Sequence, residues 1–380
     1  MNKNILIITG EPSGDTRGSE LLAELKPLFP DTHFWGFGGD TMATEGCELI
    51  EHVQNLSIVG VWEAIVKLPR IHAQYKNLTD NVTRRKPLLA ILIDYPGFNL
   101  RVAKFLHSQG IPVIYYITPQ VWAWGQWRVK SLKNYVDKAL PLFKFEEKFL
   151  SERGVSCQAV GHPLLDKISP SQSDEKNENF TIALMPGSRK TEVHGTFPVM
   201  LEAAERIRKY QGDVNFVLAE SSNIDSDLYA ESLKGHKTLP LERIKDDTFK
   251  VLEKCDFAIV ASGTATLETA IMEKPMVVVY RVALLTALLF KAFVRMPHGE
   301  PHIALVNIIA GGEVVPELLQ LDLSPESLSK QVLEIIGDDS MMNDMKQRLK
   351  EIKKTLGGPG ASKRAAEAIR EFAKERGVSS

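Results

Sequence analysis

The chain has 380 residues, enough for two domains of ordinary size. Its hydrophobic fraction is 44%, its charged fraction 25% and its formal net charge -2, as in a globular protein, so bulk charge predicts no nucleic-acid partner. The cysteines Cys47, Cys157 and Cys255 form no CxxC pair, and the histidines show no HExxH spacing, so neither a disulfide framework nor a metal site is predicted.

No targeting or membrane-spanning segment is predicted either. Residues 4–8 are too short for the apolar region of a signal peptide and run directly into a glycine turn. No stretch reaches the ~20 apolar residues that a membrane-spanning helix needs.

Short apolar runs alternate with longer amphipathic segments along the chain. The predicted strands are 4–9, 33–37, 88–94, 112–117, 137–142, 156–160, 180–185, 214–219, 256–260 and 276–280. The predicted helices include 15–26, 57–84, 97–109, 191–210, 263–273 and 361–376. Because the runs are apolar without alternation and are separated by helical crossovers, they indicate strands that are buried on both faces of parallel sheets.

Ten strands in this rhythm indicate an α/β protein with two Rossmann-like domains. The polar, proline-containing segment 167–179 is the predicted boundary, between a first domain at 1–166 and a second at 180–356. The segment Gly-Gly-Pro-Gly at 357–360 breaks the charged C-terminal region, and the last helix, 361–376, is expected to return to the first domain.

In open parallel sheets ligands bind beyond the carboxyl ends of the strands, so the loops at these ends carry the candidate sites. In the loop 10–15, Glu11 and Asp15 suit sugar hydroxyls better than a pyrophosphate, although Ser13 or Asp15 could simply cap the following helix. Asp94 ends the strand 88–94 and could act as a general base facing a cleft between the domains, or it could cap the next helix.

The loop after strand 112–117 contains three tryptophans, Trp122, Trp124 and Trp127, within six residues. Indole rings stack on sugar faces or acyl chains and keep an N–H donor. We therefore expect Trp122 or Trp124 to contact a ligand, while core packing would explain one or two of the three.

Two loops of the second half predict a nucleotide site. At the start of helix 191–210, Gly187, Ser188 and Arg189 suit a diphosphate, because Arg offers a forked donor and the helix N-terminus adds partial positive charge. A surface turn is the alternative. A second set of candidates, at the start of helix 263–273, comprises Ser262, Gly263, Thr264, Thr266 and Glu268. Glu268 could accept from two ribose hydroxyls; a simple Ser/Thr helix cap is the alternative. Asp225-Ser226-Asp227 has the form DxD but is more typical of a solvated turn.

Two stretches, 56–71 and 282–294, are too apolar for ordinary exposed helices and too short to span a bilayer. They predict acyl-chain binding or membrane docking, with a buried core helix or an oligomer interface as the alternative. The candidate contact residues are Val61, Trp62, Ile65, Val66, Leu68, Leu285, Leu288, Leu289, Phe290 and Phe293.

Taken in order, these loops resemble the lipid-A-disaccharide synthase family over about residues 4–320. The most specific segments are Pro-Gln-Val-Trp-Ala-Trp at 119–124 and Ser-Gly-Thr-Ala-Thr-Leu-Glu at 262–268. The others are Gly-Glu-Pro-Ser-Gly-Asp at 10–15, Ile-Asp-Tyr-Pro-Gly-Phe-Asn at 93–99, Val-Gly-His-Pro at 160–163, Leu-Met-Pro-Gly-Ser-Arg at 184–189, Pro-Met-Val-Val-Val-Tyr-Arg at 275–281 and Leu-Val-Asn-Ile-Ile-Ala at 305–310.

The resemblance implies a GT-B fold, in which two Rossmann-like domains face a cleft, and an inverting glycosyltransferase. It implies transfer from UDP-2,3-diacylglucosamine to 2,3-diacylglucosamine 1-phosphate, which yields a β-1,6-linked disaccharide phosphate and UDP. The UDP-sugar is a substrate, so no cofactor and no metal are expected. It further implies a cytoplasmic protein attached peripherally to the inner membrane of a Gram-negative cell, with a homodimer as a plausible assembly.

The resemblance also assigns roles to individual residues. Asp94 matches the essential aspartate of the family, Arg189 the diphosphate-binding arginine and Glu268 the ribose-binding glutamate. Asn307 matches an active-site asparagine, and the acids of the first loop match Glu11 and Asp15. Some relatives carry a second acid at the position of Gly97. This chain has glycine there, so the resemblance assigns no second carboxylate to that turn.

Three other functions remain open from the sequence. A UDP-N-acetylglucosamine 2-epimerase uses the same scaffold, although it needs no exposed apolar segments. The lipid-II-forming transferase also has the GT-B fold, but its glycine-rich N-terminal loop is absent here. A non-catalytic protein that binds acylated sugars would not need the grouped acids.

Overall fold

A computed structural model describes residues 3–56, 68–122, 125–167, 179–281 and 302–377. The chain forms two compact units. The first comprises Met1–Asp166 together with Leu356–Ser380, and the second comprises Lys167–Thr355. Within the described ranges, no helix has both the length and the apolar character needed to cross a lipid bilayer.

The described α-helices are, in chain order, α1 Pro12–Leu25, α2 Asp40–Thr44, α3 Leu68–Arg85, α4 Pro96–Ser108, α5 Arg128–Tyr135, α6 Lys144–Ser151, α7 Lys190–Gln211, α8 Ser226–Leu233, α9 Thr248–Glu253, α10 Thr264–Ile271, α11 Leu305–Ala310, α12 Pro325–Ile336, α13 Asp339–Thr355 and α14 Ala361–Glu375. Short 3-10 helices lie at Lys26–Leu28, Val53–Asn55 and Pro163–Lys167.

The first unit is built on a six-stranded parallel sheet in the order β3-β2-β1-β4-β5-β6. Its strands are β1 Asn4–Ile8, β2 His33–Gly38, β3 Glu48–His52, β4 Leu89–Ile93, β5 Val113–Tyr116 and β6 Lys138–Leu140. The central strands β1 and β4 are buried along their whole length, because helices cover both faces of the sheet.

Side chains that alternate along β1 divide the core of this unit into two layers. Leu6 and Ile8 point to the layer formed with α3, α4 and α5, whereas Ile5 and Ile7 point to the layer formed with α1 and α14. The C-terminal helix α14 thus completes one face of the first sheet. At its start, Arg364 Nε donates to the carbonyl oxygen of Val160 at 2.7 Å.

The second unit contains another six-stranded parallel sheet, in the order β12-β11-β10-β7-β8-β9. Its strands are β7 Phe180–Met185, β8 Val214–Glu220, β9 Leu241–Lys245, β10 Phe257–Ala261, β11 Met276–Tyr280 and β12 Glu317–Leu319. The strand β7, which opens the unit, lies at the centre of its sheet. As a result, the loops after β7 and β10 are neighbours at the carboxyl edge.

The structure departs from the predicted elements at the sheet edges. Three strands, β3, β9 and β12, are not predicted from the sequence, and each is an edge strand that is only partly buried and carries charged residues. The predicted strand at 156–160 is wrong: this segment forms an isolated bridge between Ala139 and Cys157 and no strand. Of the predicted helix 57–84, residues 57–67 lie outside the described part of the chain.

Candidate functional site

In the first unit, a strained turn follows β4 at the carboxyl edge of the sheet. Asp94 and Tyr95 both have left-handed backbone angles, with φ of +47° and +50°. Such angles are costly for residues other than glycine and persist only where neighbours hold them. Asn99 Nδ2 donates to the Asp94 carbonyl oxygen at 2.7 Å, and Tyr115 Oη donates to the same oxygen at 2.6 Å. The turn is therefore built to place Asp94.

The Asp94 carboxyl group is half-buried, and its pKa is raised to about 6. Burial is the largest cause, the negative charge of Glu11 adds to it, and a hydrogen bond from the Tyr95 backbone opposes it. A carboxylate with a pKa close to neutral can both accept and release a proton under ordinary conditions. This property is typical of a general base.

The first loop of the chain lies directly against this turn. A Cβ atom at Gly10 would come within 2.2 Å of the Tyr95 ring, so only glycine allows the two loops to approach this closely. Glu11 is exposed and precedes α1 in an extended conformation, which brings its charge close to Asp94. The two loops thus form one acidic site.

Asp15 has a different environment from Glu11. It is 6% exposed, and its carboxylate accepts hydrogen bonds from the backbone amides of Gly39, Thr41 and Met42 at 2.7–3.1 Å and from the Thr41 hydroxyl at 2.6 Å. All its hydrogen-bond partners lie at the start of α2. The geometry favours a role in positioning the loop over the direct catalytic role that the sequence predicts.

The tryptophan loop also differs from expectation. Trp122 is buried, and its Nε1 donates at 2.9 Å to Glu146 Oε1, a buried carboxyl group whose pKa burial raises to about 7. The ring and the N–H of Trp122 are thus used inside the fold, and its contact with a ligand stays a prediction. Trp124 lies outside the described residues, whereas Trp127 is 73% exposed.

In the second unit, a cavity of about 440 Å³ opens at the carboxyl edge of the sheet. Seven of the eight predicted nucleotide-binding residues line it: Gly187, Ser188, Arg189, Ser262, Gly263, Thr264 and Glu268. Thr266 does not line the cavity: it is buried, and its hydroxyl donates to the Gly263 carbonyl oxygen at 2.8 Å. Thr266 therefore stabilises the start of α10 and offers no donor to a ligand.

Further lining residues were missed by the sequence analysis, among them Glu220, Ser221, Asp246 and Thr248. They belong to the ends of β8 and β9 and to the start of α9. The rule that identified the other loops, that ligands bind beyond the carboxyl ends of parallel strands, applies to these residues too. The rule failed for Asp246 and Thr248 because β9 was not predicted as a strand, whereas Glu220 and Ser221 follow the predicted strand 214–219 and could have been found.

Glu192 holds the turn at Gly187–Arg189, which lines this cavity. Glu192 Oε2 accepts from the amides of Ser188 and Arg189 at 3.2 and 3.3 Å, and Oε1 accepts from Arg189 Nη1 at 2.9 Å. Arg189 itself is 69% exposed, so its guanidinium group remains accessible to an anion. Gly187 has φ of +107°, and a Cβ there would come within 2.6 Å of Glu192. Glycine is therefore required at this turn.

Asn307, the predicted active-site asparagine, is fully buried. Its Oδ1 accepts from the amides of Val314 and Val315 at 2.8 and 3.0 Å, and its Nδ2 donates to Glu317 Oε1 at 2.7 Å. Glu317 in turn accepts from the Ile303 amide, and the Ile303 carbonyl oxygen accepts from Ser262 of the cavity. The side chain of Asn307 thus has its hydrogen-bond partners inside the fold, and its role in the active site stays a prediction.

No group of three or more metal-ligating His, Cys, Asp or Glu residues occurs in the described ranges. Asp225 of the DxD sequence caps α8 by accepting from the Asp227 amide at 3.1 Å. The expectation that the reaction needs no metal stays a prediction.

The predicted acyl-chain or membrane contacts lie outside the described side chains. They are Val61, Trp62, Ile65, Val66, Leu68, Leu285, Leu288, Leu289, Phe290 and Phe293.

Comparison with known proteins decides the family. The model of the lipid-A-disaccharide synthetase family matches residues 5–372. The chain belongs to the lipid-A-disaccharide synthetase family. The lipid-A-disaccharide synthase of Myxococcus xanthus (strain DK1622) is 38% identical over 376 residues, which cover 97% of each chain. The resemblance described above is thereby confirmed, and the protein is a glycosyltransferase of lipid A biosynthesis.

Solved structures show the fold that this family member adopts. The glycosyltransferase of kitacinnamycin superposes with a TM-score of 0.64 at 16% identity and covers 97% of this chain and 98% of its own. A UDP-GlcNAc 2-epimerase from Neisseria meningitidis, solved with UDP-GlcNAc bound, gives a TM-score of 0.62 at 12% identity and covers 97% of this chain and 100% of its own. These likenesses confirm the predicted GT-B fold, and at such identities they show the fold alone.

Proposed function

We propose that the protein transfers the sugar of UDP-2,3-diacylglucosamine to the 6-hydroxyl of 2,3-diacylglucosamine 1-phosphate. The acceptor oxygen forms a bond to the anomeric carbon as the bond from that carbon to the diphosphate breaks. A single displacement of this kind inverts the α configuration of the donor. The products are the β-1,6-linked disaccharide 1-phosphate and UDP.

The observation that carries this proposal is the half-buried carboxyl group of Asp94 with its raised pKa. A half-buried carboxyl group with a pKa of about 6 can take the proton that the acceptor hydroxyl loses as it attacks. The proton then resides on Asp94 until it passes to solvent. Glu11, which is exposed beside Asp94, would accept a hydrogen bond from another hydroxyl of the same sugar.

The cavity of the second unit would bind the UDP part of the donor. Arg189 would pair with the diphosphate, together with the amides at the start of α10, and Glu268 would accept from the ribose hydroxyls. These groups would stabilise the negative charge that develops on the departing UDP. In this proposal they take the place of a divalent cation.

The epimerase alternative has weaker support. The likeness to the Neisseria epimerase rests on 12% sequence identity, whereas the Myxococcus synthase is 38% identical along almost the whole chain. A non-catalytic acyl-sugar-binding protein would not explain why the turn at Asp94 is held in a strained conformation next to a second acid.

A turnover assay tests the proposal directly. The purified protein is incubated with the diacylated donor and acceptor, and the products are followed by mass spectrometry and by NMR of the new anomeric proton. We expect UDP and a β-linked disaccharide phosphate. Conversion of UDP-N-acetylglucosamine alone to its manno epimer, with no disaccharide from the diacylated pair, would refute the proposal in favour of the epimerase.

The acylated substrates suggest where such an enzyme works. We propose that it binds peripherally to the cytoplasmic face of the inner membrane, where lipid substrates are available. The apolar stretches at 56–71 and 282–294 supply the sequence support for this part of the proposal.

A further inference from the structure

An apolar groove of about 680 Å³ runs between α3 and α4 of the first unit. Its floor is formed by the aromatic rings of Tyr75, Phe98 and Phe105, with Ile71 beside them. The Tyr75 ring meets Phe98 edge-on at 6.2 Å and Phe105 at 6.4 Å between ring centroids. Tyr75 and Phe105 are only half-buried, so the floor presents hydrocarbon to the outside. The volume is in the usual range for a small-molecule site.

The rim of this groove is basic. Arg101 and Lys104 are exposed along one side, and the charge of Arg101 is close enough to Tyr75 to oppose the rise in the pKa of that phenol that burial causes. Within the described ranges, neither cation forms a salt bridge with an acid. The residues that line the groove include these two cations and no acid. The face is thus suited to a ligand with an anionic group.

One end of the groove adjoins the Asp94 turn. Phe98 lies four residues after Asp94, and its ring is 5.8 Å from that of Tyr95, the second residue of the strained turn. The other end is at Ser108, the last residue of α4. Ten residues of helix separate Phe98 from Ser108, a distance of ~15 Å. This is the length scale of a fatty acyl chain.

We propose that this groove holds one acyl chain of the acceptor while Arg101 and Lys104 bind the acceptor's phosphate. The assignment rests on the proposed function and adds acceptor-binding residues to it. This one concave site combines an apolar floor, a cationic rim and contact with the Asp94 turn. An acylated sugar phosphate has the complementary features on one small molecule, with the reacting hydroxyl at the same end as its sugar. Arg is well suited to the phosphate because its donors are forked.

Two kinds of variant test the groove. Ser108→Trp fills the far end of the groove and keeps both rim cations, whereas Arg101→Gln and Lys104→Gln remove the cations and keep the apolar floor. Lys130→Gln is the matched control, because Lys130 is an exposed cation of α5 that does not line the groove. Steady-state kinetics are measured with acceptors that carry either long or short acyl chains.

We expect Ser108→Trp to raise the acceptor KM at least 10-fold for the long-chain acceptor and less than 2-fold for the short-chain one. Arg101→Gln and Lys104→Gln should raise the acceptor KM for both chain lengths by roughly 10-fold, with the donor KM unchanged. Lys130→Gln should behave as wild type. Equal effects of Ser108→Trp on both chain lengths, or an unchanged acceptor KM in the rim variants, would overturn the proposal.

Two further measurements separate this proposal from the proposed function and from docking of the groove on a membrane. Equilibrium binding of the long- and short-chain acceptors without donor needs no transfer reaction, so the groove can be judged even if the proposed function fails. Sedimentation with anionic phospholipid vesicles tests the bilayer as the occupant. If the rim variants lose vesicle binding while the affinity for the acceptor is unchanged, the groove docks on the membrane and the acceptor assignment is wrong.

Discussion

The side-chain amide of Asn99 donates to the backbone carbonyl oxygen of Asp94 at 2.7 Å. This hydrogen bond, with that from Tyr115, holds two consecutive left-handed residues at the carboxyl end of β4. The fold thereby keeps a carboxyl group half-buried beside the acid Glu11, although both the burial and the neighbouring charge disfavour its ionised form. Such an arrangement costs stability, and the cost can be measured.

Asp94→Asn should stabilise the protein at pH 8. The pKa of Asp94 is about 6 in the folded protein against an ordinary value of 3.8, so the stability it contributes is present below pH 3.8 and is lost as the pH rises through 6. Asparagine cannot ionise and therefore avoids this loss. After allowance for partial exposure, the free energy of unfolding of the variant at pH 8 should be higher by ~1–2 kcal/mol. Urea unfolding at pH 8 and pH 4.5 should show an advantage of the variant that is larger at pH 8. A variant that is less stable than wild type at both pH values would show that Asp94 is not held against its ionisation.

Glu11→Gln should shift the pH dependence of the reaction. Removing the negative charge beside Asp94 lowers the pKa of that carboxyl group, so the acid limb of kcat/KM should move to lower pH by on the order of half a unit. Glu24→Gln, an exposed acid farther along α1, is the control and should leave the limb in place. If the limb stays fixed in Glu11→Gln, either the limb belongs to another group or the two charges do not interact.

Arg189→Ala should weaken the binding of UDP but not of uridine. The guanidinium group that lines the cavity contacts only the diphosphate in the proposed complex, and the loss of such a charge-assisted contact corresponds to a roughly 10- to 100-fold increase in Kd. Lys190→Ala removes the adjacent exposed cation, which does not line the cavity, and serves as the control. Calorimetry in buffer that contains EDTA also tests the absence of a metal. UDP binding that disappears with EDTA in the wild-type protein would contradict the proposed role of Arg189.

Asn307→Ala should act mainly on stability. It leaves the buried amides of Val314 and Val315 without their acceptor, at a cost of ~2–4 kcal/mol. Asn134→Ala, at an exposed position of α5, should change the free energy of unfolding by less than ~0.5 kcal/mol. Thermal unfolding of both variants is the measurement. An Asn307→Ala protein with wild-type stability and a greatly reduced kcat would restore the catalytic role predicted from the sequence.

The central strands and the loops after them could be predicted from the sequence for one physical reason. Strands buried on both faces are continuously apolar, and the residues that follow them stand at the carboxyl edge where parallel sheets bind ligands. This logic identified Asp94, Arg189 and the 262–264 turn. It failed at the edge strands β3, β9 and β12, because a strand with one open edge can be polar.

The roles of several polar residues could not be predicted, because they depend on segments far away in the sequence. Asp15 is held by the start of α2, Asn307 by the loop before β12, and Trp122 by Glu146. In sequence, each of these three residues has the type and the position that a ligand-binding residue would have. Only the folded structure shows that these side chains already have protein partners.

The most direct test of the account compares the turnover of wild type and Asp94→Asn at pH 8, with UDP affinity measured on the same samples. A positioned general base commonly contributes ~10²–10⁴ in rate, so the variant should lose that much kcat while its Kd for UDP stays within 2-fold of wild type. A variant that forms the disaccharide at nearly the wild-type rate would contradict the assignment of Asp94 as the general base.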